Sequence, residues 1–303
     1  MDKATQTVTT SALHIVYEQT GPDSGEPILL LHGFPYDVRA YDTVLGLLEK
    51  KNRRLMVPYL RGFGPTRYRS PEVLRSGQQA ALGKDIVDLL DALRIKRATL
   101  MGYDWGGRAA CVAAALWPER VRALVSVGGY TIQNIAEAGA IPEPAEQEHQ
   151  FWYQWYFQTK RGHRGLAQNR DEIAKLLWRM WSPNWLFEES LFAATAKSFR
   201  NPDFVSTVIH SYRHRYANAP GDPGLEALEE RLAAKPAIAA PTIALYGEAD
   251  RVDPPPSPGA HASRFTGFFE ERFLEKAGHC PPTEAPDAVS QAIEDVLKVS
   301  ATT

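Results

Sequence analysis

Short, largely apolar runs recur along the first 130 residues, separated by stretches whose apolar positions repeat every three or four residues. Residues 27–31 (Pro-Ile-Leu-Leu-Leu), 98–102 and 121–127 are such runs. A strand buried on both faces reads this way, because neither face meets water. Residues 13–17 and 54–59 predict two more strands. Residues 83–93 predict an amphipathic helix, with Ile86, Val87, Leu89, Leu90 and Leu93 on one face and Asp85, Asp88 and Asp91 largely off it. Residues 106–117 predict a helix of small residues that stops before Pro118. Strands alternating with helices predict an α/β fold, a mostly parallel sheet with helices on both faces.

The pattern changes near residue 134. From there to 224 no strand signal occurs, and aromatics are dense: Trp152, Tyr153, Trp155, Tyr156, Phe157, Trp178, Trp181 and Trp185. Several helices joined by loops are expected, with residues 161–164 (Arg-Gly-His-Arg) as a solvated loop. Residues 217–224 (Ala-Asn-Ala-Pro-Gly-Asp-Pro-Gly) read as a return linker. Strands at 242–246 and 268–274 follow, then a closing helix at 285–299. The expected organisation is a sheet core of residues 1–133 and 225–303, with residues 134–224 inserted as a helical cap.

Composition adds exclusions. With 44% hydrophobic and 23% charged residues among 303, a core of ordinary size can form. A net charge of −2 argues against nucleic acid or an anionic membrane as partner. A small-molecule substrate, neutral or weakly charged, is expected. Cys111 and Cys280 are too few for a disulfide framework or a zinc site, so both read as packing, and no metal or cofactor is called for. No stretch is apolar enough to span a membrane, and the first six residues lack a leader's apolar run, so a cytoplasmic protein is expected. A homodimer is one assembly the sequence leaves open.

The sharpest chemical feature is Gly102-Tyr103-Asp104-Trp105-Gly106-Gly107, after an expected strand and at the start of an expected helix. Glycines flanking a polar residue permit a tight turn that lifts that residue clear of the backbone. The helix N-terminus beneath it favours negative charge. Taken alone, Asp104 serves equally well as a helix cap. Its partners tip the balance. His32-Gly33-Phe34-Pro35 follows another strand, and the Phe34–Pro35 bond is a candidate for cis. Gly278-His279-Cys280-Pro281 places a histidine after a strand near the C-terminus. Tyr246-Gly247-Glu248-Ala249-Asp250 places an acid at a strand end, where Asp250 would orient His279, with Asp253 as the alternative. Arg108 reads as a solvated or salt-bridged helix residue.

The whole chain resembles the α/β-hydrolase superfamily, and Asp-Trp-Gly-Gly resembles its aspartate-nucleophile branch of epoxide hydrolases and dehalogenases. The resemblance implies a triad of Asp104, Asp250 and His279, in that family's chain order. It also implies an oxyanion hole from the backbone N–H groups of Phe34 and Trp105, with Phe34, Pro35 and Trp105 against the substrate. Tyr153-Gln154-Trp155-Tyr156-Phe157-Gln158 is similar to the Tyr-Gln-x-Tyr-Phe-Gln stretch of epoxide hydrolases. It makes Tyr153 one of two lid tyrosines that hold the epoxide oxygen. The other lies in an Asn-Trp-Tyr-Arg stretch, of which this chain keeps Tyr212-Arg213. The remaining aromatics of the insertion read as packing.

The nucleophile type narrows the electrophile. Serine attacking an sp³ carbon would leave an inert ether, whereas aspartate leaves an ester that water can cleave. Opening of an epoxide to a diol is therefore expected, with haloalkane or haloacid dehalogenation as the rival, since the Trp105 indole could hold a halide. Fluoroacetate-type enzymes have Arg beside the aspartate, where this chain has Trp105. A non-catalytic ligand-binding protein would be marked by a lost triad member, and all three are present.

Overall fold

The computed structural model describes residues 4–49 and 52–302; the start of the N-terminal stretch read above, residues 1–3, lies outside them. Among the described residues the strands are β1 (Ala4–Thr9), β2 (Leu13–Thr20), β3 (Glu26–Leu31), β4 (Arg53–Pro58), β5 (Arg67–Tyr68), β6 (Ala98–Gly102), β7 (Val121–Val127), β8 (Thr242–Gly247) and β9 (Phe269–Leu274). The helices of the first half are α1 (Asp42–Leu48), α2 (Gln79–Ala92) and α3 (Asp104–Leu116). Between β7 and β8 lie α4 (Ile135–Ala140), α5 (Ala145–Gln150), α6 (Trp152–Gln158), α7 (Lys160–Trp181), α8 (Glu189–Ala196), α9 (Phe204–His214) and α10 (Glu226–Ala233). After β9 come α11 (Pro281–Glu284) and α12 (Pro286–Thr302).

All strands join one sheet in the order β1-β2-β4-β3-β6-β7-β8-β9, with β5 beside β2. From β4 to β9 every neighbouring pair is parallel. The β1, β2 and β5 end is antiparallel. Ile28, Leu29, Leu30 and Leu31 are fully buried, as an apolar run in a central strand requires. Helices α2 and α3 pack together in one layer, and α1 and α12 in another. This is the α/β architecture expected. The elements not anticipated are β1, β5, α1, α10 and α11. Strand β1 is a partly exposed edge, Ala-Thr-Gln-Thr-Val-Thr, and α1 has only seven residues.

The segment between β7 and β8 is helical and runs on to Ala233, past the turn-rich stretch at 217–224. Residues 161–164, expected as a loop, instead form the first turn of α7. The Thr159 hydroxyl caps that turn by accepting the Gly162 N–H at 2.8 Å. The helical segment is tied to the sheet side by buried polar contacts: Trp178 Nε1 donates to the Pro35 carbonyl at 2.9 Å, and the Ser198 hydroxyl to Asp37 at 2.6 Å. No helix among the described residues is long and apolar enough to cross a membrane.

Asp85 departs from the amphipathic reading. It is buried, because Arg61 reaches it with two parallel bonds, Nε to Oδ2 at 2.6 Å and Nη2 to Oδ1 at 2.7 Å. Arg61 Nη1 also donates to the Ser76 carbonyl at 2.6 Å. Burial of such a pair offsets much of its attraction, but removing one partner strands a buried charge. Asp85→Ala is therefore expected to cost about 3–5 kcal/mol in chemical unfolding. The double variant Arg61→Met/Asp85→Leu should cost clearly less than the single one. Equal losses for the two would contradict a stranded charge.

Candidate active site

Strand β6 ends at Gly102, and Asp104 opens α3 with φ +50°. A side chain other than glycine rarely adopts that left-handed backbone, so the turn is strained. Close packing enforces it. A Cβ on Gly106 would lie 2.1 Å from the Leu31 carbonyl oxygen, and one on Gly33 would lie 2.5 Å from Asp104 Cβ. Both positions must be glycine for the β3 and β6 ends to approach.

The Phe34 backbone N–H donates to Asp104 Oδ1 at 2.7 Å. The following Phe34–Pro35 peptide is cis. On the other side, His279 Nε2 stands 3.5 Å from Asp104 Oδ2, an ion-pair distance too long for a well-formed hydrogen bond. His279 Nδ1 lies 2.8 Å from Asp250 Oδ2, while Asp250 Oδ1 accepts the N–H groups of Val252 and Asp253 at 2.9 and 3.0 Å. Of the two acids weighed from the sequence, Asp250 thus holds the histidine, and Asp253 faces the cavity instead.

The electrostatics follow from burial against pairing. Burial opposes charge on His279, but Asp250 and then Asp104 outweigh it and hold its pKa well above the usual histidine value. Burial likewise opposes charge on Asp104, and His279, Arg215 and the Phe34 N–H bring its pKa below the usual carboxylate value. Both directions favour a carboxylate facing an imidazolium.

A cavity of about 130 Å³ opens above Asp104 and His279, walled by Tyr153, Gln154, Phe151, Arg108, Arg215 and Asp253 among others. It is smaller than the pockets that hold drug-sized ligands. Tyr153 lines it. Tyr212 is fully buried beside it, its hydroxyl 3.3 Å from Trp105 Nε1 and its ring 5.2 Å from that of Tyr153. The two hydroxyls interact, and burial pushes both phenols up, so both stay protonated. Phe34, Pro35 and Trp105, expected against the substrate, are not among the cavity walls. The Phe34 ring is enclosed by Trp105, Tyr153, Phe157, Phe204 and Tyr212, and Pro35 is buried under Trp178.

Several site neighbours went unread in the sequence. Glu284 accepts the N–H groups of Gly278 and Cys280 at 2.7 and 2.9 Å, and Ser182 accepts that of His279 at 3.0 Å. Ser182 donates in turn to Glu284 at 2.7 Å, so the histidine loop is clamped from both sides. Trp181, expected only to pack, sets its ring edgewise against His279 at 4.9 Å. Arg108 is half-buried and forms no ion pair among the described residues; it lines the cavity and donates to Gln133 Oε1 at 2.5 Å. Arg215 had no sequence signal beyond its place three residues after Tyr212. Cys111 and Cys280 are free and buried, as expected of packing residues.

A strained strand-to-helix elbow at the end of a parallel strand, faced by an acid-held histidine, is the arrangement of the α/β-hydrolase class. Residues 26–286 match the α/β-hydrolase fold family, and the chain belongs to it. The crystal structure of a candidate epoxide hydrolase from Klebsiella pneumoniae is 44% identical and superposes with a TM-score of 0.94 over 97% of each chain. Human epoxide hydrolase 4 is 26% identical over 95% of this chain and 76% of its own length. A haloalkane dehalogenase variant from Bradyrhizobium elkanii, 20% identical with a TM-score of 0.78 over 99% of each chain, shares the fold alone.

If Asp104 holds the His279 proton, neutralising Asp104 must lower the histidine's pKa. Nitrogen-15 spectra of the histidine rings should show His279 doubly protonated in the resting protein above the usual value of about 6.5. In Asp104→Asn it should lose that proton at lower pH. The charge-paired histidine contributes stability below its unfolded pKa, lost as pH rises through the raised folded value. An unchanged titration in Asp104→Asn would disprove the coupling.

Proposed function

We propose that the protein opens a small epoxide to a vicinal diol through an ester on Asp104. The observation that carries this reading is an elbow carboxylate, Asp104, facing a cavity that Tyr153 lines and that Tyr212 backs from a fully buried position. The epoxide-hydrolase names of the Klebsiella and human relatives support it, and the helical segment 134–224 serves as the cap that brings the tyrosines over the sheet. Asp104 Oδ2 forms a bond to a ring carbon as the ring C–O bond breaks. The ring oxygen takes a proton from Tyr153, with Tyr212 as second donor. The resting proton of His279 restores the phenol. Loss of the Asp104 charge in the ester is what lets His279 give that proton up, and it leaves the neutral base the second step needs.

His279, oriented by Asp250, then takes a proton from water, and the water oxygen adds to the carboxyl carbon of Asp104. The charge that develops on Oδ1 falls to the N–H groups of Phe34 and Trp105. Collapse releases the diol, which takes a proton from His279. The proton left on the Asp104 carboxyl returns to His279, restoring the resting pair. A leaving halide would need N–H donors and no acid, so the tyrosines favour the epoxide over the halide.

His279→Gln should form the ester and fail to hydrolyse it. Mass spectrometry of the variant after substrate should find the adduct on the peptide carrying Asp104; an adduct elsewhere, or none with a substrate the unaltered enzyme consumes, defeats the mechanism. Tyr153→Phe should slow ring opening by about two orders of magnitude, the roughly 2.7–4 kcal/mol that one donor to a developing oxyanion supplies. Tyr212→Phe should cost less, because Tyr212 lies behind the cavity wall. If the double variant opens epoxides at the unaltered rate, or if the enzyme consumes haloalkanes or haloacids and no epoxide, dehalogenation replaces this reading.

A further inference from the structure

The cavity above Asp104 carries two guanidinium groups that take no step in the proposed ring opening, although Arg215 helps keep Asp104 ionised. Arg108 lies four residues after Asp104, one turn along α3, and so rises on the nucleophile's side of that helix. Arg215 caps the end of α9 three residues after Tyr212, on the tyrosine's side. Both line the cavity, and both also line the narrow cleft behind it with Gln133 and Ser211. One comes from the sheet side and the other from the helical segment, and they meet only because the two pack together.

Their partners do not account for them. Among the described residues neither forms an ion pair with a carboxylate. Arg108 donates through Nη1 to Gln133, and Arg215 lies over the Tyr212 ring, 4.9 Å from its centroid. Burial, and to a lesser degree Arg215, push the Arg108 pKa down to about 9, whereas Tyr212, Tyr153, Tyr216 and Asp104 raise that of Arg215 against its burial. The acids facing them are Asp104, already shared with His279, and Asp253, whose carboxyl is pushed up to about 6 by burial and by Asp250. A neutral substrate would leave both arginines partly desolvated with nothing to bind. An anionic one would be repelled by the Asp104 carboxylate unless cations stood beside it, and here they do.

We infer that the electrophile carries a carboxylate held between Arg108 and Arg215, which makes the substrate a short epoxy acid of the oxirane-2-carboxylate class. The epoxide part rests on the function proposed above; the acid part rests on the arginines alone. The guanidinium fork suits a planar carboxylate with two parallel bonds. This proposal departs from the expectation, drawn from the net charge, of a neutral or weakly charged substrate.

The two parts separate experimentally. Glycerate, the diol acid that oxirane-2-carboxylate would yield, and glycerol, its uncharged counterpart, are titrated calorimetrically into the unaltered enzyme. Glycerate should bind about tenfold tighter or more. In Arg108→Gln and in Arg215→Gln that preference should fall by about tenfold, alongside the ratio of kcat/KM for oxirane-2-carboxylate over oxirane-2-methanol. Equal binding of glycerate and glycerol to the unaltered enzyme overturns the carboxylate site, and this comparison needs no variant to fold. A preference unchanged in folded Gln variants overturns it too. If glycerate binds through both arginines while neither epoxide is opened, the carboxylate site stands and the epoxide reading falls.

Discussion

Keeping one carboxylate ionised inside the protein is the constraint on which the rest of this structure depends. Asp104 sits on a turn with φ +50°, away from bulk water, where an unpaired negative charge would be driven to take up a proton. It stays ionised because the Phe34 N–H, the His279 ring and the Arg215 guanidinium all lean toward it. Each of these supporters is itself fixed by something further out. The glycines at 33 and 106 let the strand ends approach. Asp250 holds the far side of the imidazole. Glu284 and Ser182 clamp the backbone that carries it.

That outward chain of support crosses from the sheet to the helical segment. Ser182 follows α7, yet it accepts the His279 N–H; Trp181 rests on the imidazole; Trp178 bonds the carbonyl of Pro35. The helical segment is therefore part of the machinery that positions the histidine as well as a roof over the cavity. A change in how it docks would be felt as a change in the geometry between His279 and Asp104. In a site built on a 3.5 Å contact, a small displacement decides whether the ring faces the carboxylate or a water.

The parts of this architecture legible in the sequence are those set by local rules. Strands β3, β6 and β7 are buried on both faces, and their apolar runs announce them. The elbow is legible because a tight turn demands glycines at fixed offsets. Asp104, His279 and Asp250 stand out as candidates because each follows a strand end. The misses share a cause: they are set by contacts distant in sequence. Asp85 lies on a helix face that periodicity assigns to solvent, and only Arg61, 24 residues away in sequence, makes its burial tolerable. Glu284 looks like any acid of a short helix until the loop above it is in place. Arg215 gains meaning only when α9 is folded over α3. The tyrosines show both sides of this, for their sequence context placed them near the site, yet it could not tell that one lines the cavity and the other backs it.

Charge at the site obeys the same distinction between local and global. A net charge of −2 averages 34 basic and 36 acidic residues over the whole chain, and a cavity samples only a few of them. Within that cavity the decisive quantity is how the balance shifts as the reaction proceeds. At rest the Asp104 charge is matched by His279. In the proposed mechanism, ester formation removes that negative charge, and His279 would then shed its proton. Arg108 and Arg215 cannot do likewise at neutral pH, since even the lowered value for Arg108, about 9, leaves it charged. A negative group on the substrate would supply a counter-charge that persists through both steps, from binding to hydrolysis. The two arginines would then hold the substrate most firmly at the intermediate, when Asp104 no longer competes for them.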